Sequence, residues 1–255
     1  MLSKKNFGQQ KNQSNNSSFW IQTGISATNL SGIDKKISSL TLHGIGLTAT
    51  AALEYNKEEA AHKLSFFYTG GSMKIGKDET NSLTYKHLGF EYTNLYNRKF
   101  SQKSPFQWGA GAATGYFYSK RTFDLINNNK SFESVASLGI QLGIVYAPKK
   151  IAGTRIINRI ILPVVSAIKQ PIFGSSQTSE ALAGEGNSTA GFLNGWNAAL
   201  IPAYFNLKNK VNIEKKMANG SNISIVYTWE YFHIKTNREV IHAFHQIGLL
   251  YSFTL

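Results

Sequence analysis

Beyond residue 18 the chain places apolar residues at every second position, over segments much longer than ordinary strands. That period belongs to a β-strand with two unlike faces. The run from Phe106 to Tyr118 shows it plainly. One parity carries Phe106, Trp108, Ala110, Ala112, Thr114, Tyr116 and Tyr118, and the other Gln107, Gly109, Gly111, Ala113, Gly115 and Phe117. Ile45 to Tyr55, Leu88 to Tyr92, Leu138 to Tyr146, Ile223 to Tyr231 and Ile247 to Leu255 repeat the pattern. Many segments run about 11–15 residues, against about 5–6 for a typical soluble strand.

Eleven such segments fall at about 18–27, 40–55, 61–70, 83–96, 105–119, 132–147, 155–168, 196–206, 210–217, 221–234 and 241–255. Turn-rich stretches separate them. The longest gap, 169–195, is rich in Gly, Ser and Thr and reads as a long loop. The first 17 residues read as a polar, disordered lead-in, which leaves 18–255 as one expected domain. The alternation predicts an all-β, closed antiparallel up-and-down barrel. Closed bacterial barrels usually have even strand numbers, so ten to twelve strands are expected, ahead of eight or fourteen, with one segment split or missed.

A soluble barrel turns its apolar parity inward, and a transmembrane barrel turns it outward to lipid. Trp108 and Tyr118 stand ten positions apart on one face. At about 3.3 Å per residue and a tilt of roughly 40°, that is about 25 Å of height, the apolar band of an outer-membrane barrel. The opposite parity is mostly Gly, Ala, Ser and Thr, which suits a narrow lumen. A lipid-facing reading therefore puts Trp20, Phe106, Trp108, Tyr116, Tyr118, Tyr146, Trp229 and Tyr231 in an aromatic girdle.

Composition narrows the rest. Only 16% of residues are charged and 13% are aromatic, which excludes a disordered chain. No apolar run is long enough for a transmembrane helix. With no cysteine there is no disulfide scaffold and no thiolate site. The formal charge is +13, but the basic residues read as loop residues scattered between the alternating segments. That distribution suits membrane lipid headgroups and lipopolysaccharide better than a nucleic-acid face.

The chain closes on His245-Gln246-Ile247-Gly248-Leu249-Leu250-Tyr251-Ser252-Phe253-Thr254-Leu255. Apolar or aromatic residues recur at every second position back from Leu255. This resembles the terminal β-signal of Gram-negative outer-membrane β-barrel proteins, with Leu where Phe is the commoner ending. The resemblance implies an outer-membrane location, a removed signal peptide, and recognition of Tyr251, Phe253 and Leu255 by the barrel-assembly machinery. It also admits other outer-membrane proteins as partners in an envelope complex.

No His-x-Ser-Asn or Gly-x-Ser-x-Gly motif occurs, and no catalytic residue is assigned. His242 and His245 fall on opposite strand faces, so they form no metal pair. No cofactor is expected. Glu54, His87, Glu91 and Glu230 share the Gly/Thr parity, and Arg159 lies inside a strand. Charge in a narrow barrel needs partners, so these five are the candidate lumen cluster, paired with one another or with Lys and Arg from loops. The expected role is a narrow channel or an accessory subunit of an envelope complex. The rivals are an outer-membrane lipid-modifying enzyme and a soluble basic barrel that binds a ligand or nucleic acid.

Overall fold

A computed structural model describes residues 17–35, 38–57, 59–75, 82–101, 104–123, 130–170, 195–236 and 239–255. The polar lead-in and most of the 169–195 loop lie outside those residues. Among the described residues eleven strands form: β1 (Ser17–Asp34), β2 (Ser38–Lys57), β3 (Ala60–Ile75), β4 (Ser82–Lys99), β5 (Phe106–Phe123), β6 (Lys130–Tyr146), β7 (Thr154–Lys169), β8 (Asn197–Leu200), β9 (Tyr204–Lys216), β10 (Asn222–Lys235) and β11 (Glu239–Thr254). Neighbours pair antiparallel in the order β6-β5-β4-β3-β2-β1-β11-β10-β9-β7, and β6 pairs with β7 to close the ring. The result is a ten-stranded up-and-down barrel with one short extra strand.

Counting register partners fixes the stagger. From Ile25 through Ala49, Tyr68, Leu88 and Tyr118 the path reaches Ser134 on β6. The other way round, through Leu249, Ile225, Ile213 and Ile156, it reaches Tyr146. The two ends differ by 12 residues on one strand. Twelve rises of about 3.3 Å against ten spacings of about 4.8 Å tilt the strands by roughly 40°.

The expected segments 196–206 and 210–217 are one wall position, not two. β8 pairs with Val165–Ile168 and β9 with Thr154–Ile161, so both line up along β7. Pro202 sits between them and has no N–H to give a ladder. Lys208 and Lys210 look like a basic turn in sequence, but they lie inside β9.

β7 also carries a bulge. Leu138 faces Val165 while Gly139 faces Pro163, so Val164 is extra and both valines point outward. Proline in a strand belongs at such a bulge. Gly139 suits the close approach, because a Cβ there would sit 2.3 Å from the Leu162 carbonyl oxygen.

The apolar parity faces out. Ile45 is 75% exposed and Ile247 60%, and Leu138, Ile140, Leu142 and Ile144 line one outer strand face. The end carrying the first residue of β1 and the last of β11 has rings around its outer rim. Tyr55, His62 and Tyr92 make successive ring contacts of 6.3 Å, and Phe106 stacks on Tyr146 at 4.6 Å. No helix of the described residues is long and apolar enough to cross a membrane; the strands provide the spanning elements.

The inner parity is not uniformly small. In the half nearer the β1–β2 and β10–β11 hairpins, Leu30, Met73, Tyr85, Phe117, Phe232 and Phe244 pack into one core inside the barrel. These rings contact one another at 5.5–5.9 Å. Phe132 departs from the pattern: its parity faces out, yet it is buried and packs on Tyr118.

Candidate functional site

Below that apolar core lies a polar chamber at mid-barrel and toward the termini. It is lined by inward residues of β1, β2, β3, β4, β6, β7, β9, β10 and β11, among them Gln22, Lys63, Glu91, Gln141, Arg159 and Lys210. Its volume is about 90 Å³, room for about six waters.

Glu91 is the hub. Lys208 Nζ donates to it at 3.0 Å and Lys210 Nζ at 2.7 Å. Lys208 also reaches Glu230 at 3.2 Å, and Asn206 donates to Glu230 at 3.0 Å. These four charges come from facing walls, β4 on one side and β9 and β10 on the other, so they brace the barrel across its diameter. Glu54 stands nearer the termini. It accepts from Gln22 at 2.9 Å and Asn56 at 3.1 Å, with Lys63 at 3.8 Å.

Three of the five expected lumen residues, Glu54, Glu91 and Glu230, are thus in ion pairs, but their partners are strand lysines and not loop residues. Lys63, Lys208 and Lys210 are not among the residues the sequence singles out for the lumen, because scattered basic residues read as surface charge. Their signal was parity: Lys208 and Lys210 alternate in step with Tyr204, Asn206, Asn212 and Glu214 on the inward face. His87 does not join Glu91. Its Nδ1 bonds Ser119 Oγ at 2.7 Å and its ring stacks on Phe67 and Phe244. It therefore sits where the apolar core meets the chamber, stacking on the one and lining the other. Arg159 faces the chamber, but among the described residues no carboxylate lies within 4.0 Å of it.

A second charged group sits inside the hairpin end. Arg121 is fully buried, not in a loop as its sequence position suggested. It pairs with Glu133 and with Asp34 at 3.3 Å, bonds Ser131 at 3.0 Å, and meets His242 Nε2. The outer rim nearby is solvated. There, hydrogen bonds from Lys35 and His233 hold the Glu239 carboxyl below its ordinary range.

The aromatic residues divide by end. Phe106, Trp108 and Tyr146 lie outward at the termini end, and Tyr116, Tyr118 and Tyr231 outward in the other half. Trp229 is outward but at the middle of β10. Trp20 is a correction. It shares the inward parity of Gln22, pairs in register with inward-facing Glu54, and donates to Ser18 Oγ at 3.0 Å. The alternation of β1 fixes this, since Phe19 and Ile21 take the outward positions. Tyr251 and Phe253 lie outward on β11 with rings 6.1 Å apart, and Leu255 is 80% exposed.

Nucleophilic chemistry needs a reachable hydroxyl beside a base. The Ser119–His87 pair has that spacing, but Ser119 is sealed at 0% exposure. Among the described residues no group of three His, Asp or Glu could hold a metal ion.

No protein-family model matches the chain, and no curated protein matches it. Solved structures do. The outer membrane protease OmpT from Escherichia coli aligns over 94% of this chain and 96% of its own, at 7% identity and a TM-score of 0.53. Neisserial surface protein A aligns over 94% and 99%, at 10% identity and a TM-score of 0.38. The attachment invasion locus protein Ail of Yersinia pestis aligns over 92% and 99%, at 9% identity and a TM-score of 0.37. The chain has the fold of Gram-negative outer-membrane β-barrels, with a lumen occupied by its own side chains.

Proposed function

We propose that this chain is an integral protein of a Gram-negative outer membrane, and that its barrel is a closed, non-conducting body. It serves as a membrane-embedded accessory subunit, not as an open pore. One observation supports this above the others: Leu30, Met73, Tyr85, Phe232 and Phe244 are each 2% exposed or less and fill the lumen from wall to wall in the hairpin half. Water and ions have no standing path through packed hydrocarbon. In this reading the outward rings at the two ends meet the lipid interfaces and lipopolysaccharide, and Tyr251, Phe253 and Leu255 are read by the barrel-assembly machinery.

Two measurements test it. The protein is expected in the outer-membrane fraction, with an unboiled band that shifts on a detergent gel. A protein that stays soluble without detergent overturns the membrane reading. In planar bilayers the purified barrel is expected to give no steady conductance at 100 mV. Replacing Phe117, Phe232 and Phe244 together with alanine is expected to open discrete current steps. Steady steps from the wild-type protein would restore the channel reading.

A further inference from the structure

The chamber holds more positive than negative charge, and the surplus has an address. Lys63, Arg159, Lys208 and Lys210 line it with Glu91 and Glu230, and Glu54 stands beside it against Lys63. Lys208 and Lys210 are held by Glu91 and Glu230, and Lys63 by Glu54 and by Gln22 Oε1 at 2.5 Å. Arg159 is left over. Its Nε is buried without a hydrogen-bond partner, and no ion pair reaches it among the described residues. The side chain is half-buried and the Glu54 carboxylate is near enough to feel its charge, but no ion pair forms, and a buried guanidinium N–H without an acceptor favours an anion beside it.

Gln141 points the same way. It is 0% exposed, lines the chamber with Arg159, and neither end of its amide has a partner. Buried polar groups in native proteins are almost always satisfied, and an exception calls for a water or an ion. Gln141 and Arg159 lie on neighbouring strands, since Gln141 pairs in register with Ile161, two residues from Arg159. Lys210 is Arg159's register partner on the other side. Its side chain keeps 28% of its surface accessible, so the chamber is wet. A guanidinium, an amide N–H and an ammonium on three adjacent strands form a donor set for an oxyanion.

We propose that this chamber binds one small free oxyanion of the phosphate class, held by Arg159 with Gln141 and Lys210. About 90 Å³ admits inorganic phosphate with some of its water. The acyl chains of a phospholipid have no place in it.

The test uses the full chain folded in a phosphate-free sugar detergent. Sodium phosphate is titrated at constant ionic strength, and the temperature at which the shifted gel band is lost is recorded beside calorimetric binding. Wild-type protein is expected to bind one phosphate and to melt later as phosphate rises, with sodium chloride giving no such shift. Arg159→Gln removes an unpaired charge, so it is expected to fold at least as well as wild type and to weaken binding by tenfold or more. Gln141→Leu is expected to fold and to weaken binding severalfold. Absence of phosphate binding by folded wild type overturns the proposal, as does equal binding by folded Arg159→Gln. A short-chain lysophospholipid that shifts melting where inorganic phosphate does not overturns the free-anion assignment. The outcome is independent of conductance, so its failure leaves the closed-barrel reading standing.

Discussion

Ile140→Arg is expected to destabilise the folded barrel by about 2–4 kcal/mol, the cost of an arginine on the lipid face near the bilayer midplane. Ile140 lies outward on β6 between Leu138 and Leu142, well inside both rims. The same change at Ile223, the second residue of β10, falls at the interface and is expected to cost about 0–1 kcal/mol. Urea unfolding from lipid vesicles, followed by tryptophan fluorescence, reads both. The depth dependence is the informative part. A barrel surrounded by water would tolerate arginine equally at both positions, because each side chain already stands exposed. Equal and small effects would therefore remove lipid from the outer face.

The second large effect is inside. Arg121→Met leaves Asp34 and Glu133 in the hairpin-end core, at 1% and 0% exposure, without their guanidinium. Breaking a buried pair from one side costs about 3–5 kcal/mol. The variant is expected to lose its heat-resistant band at markedly lower temperature. Adding Asp34→Asn and Glu133→Gln to Arg121→Met neutralises the two carboxyls that faced the guanidinium and is expected to recover most of the loss. An Arg121→Met protein as stable as wild type would mean that the guanidinium bears no part of that core's charge balance.

The outer surface was legible because one rule governs it. Any lipid-facing position must be apolar, so a period of two survives over whole strands, as in Leu138 to Tyr146. The lumen obeys no single rule. Glu54, Glu91 and Glu230 could be placed by parity, but their partners come from strands far away in sequence. Glu91 meets Lys208 and Lys210 only because ten tilted strands bring β4 and β9 to opposite sides of one narrow barrel. Arg121 carries no local mark that separates a buried cation from a surface one, and Lys208 is marked only by its parity within β9. Trp20 was misplaced for the opposite reason: near a strand end only two or three residues fix the face, and the neighbouring Phe19 offered an equally aromatic choice. Register across a break is equally hidden, which is why β8 and β9 read as separate staves.

The apolar core within the hairpin half has a consequence for the chain before it reaches the membrane. In β11, Phe244 faces inward and Ile247 and Leu249 face outward, so both sides of the strand shun water. A newly made chain thus has two competing ways to bury its surface, and only one of them leaves the lipid face outermost. In water alone the outward parity is the larger sticky surface, and collapse onto it turns the wall inside out. Productive folding requires an amphiphile to claim the outer face first. The yield of folded barrel on dilution from urea should therefore depend on whether detergent is present before dilution or arrives after it.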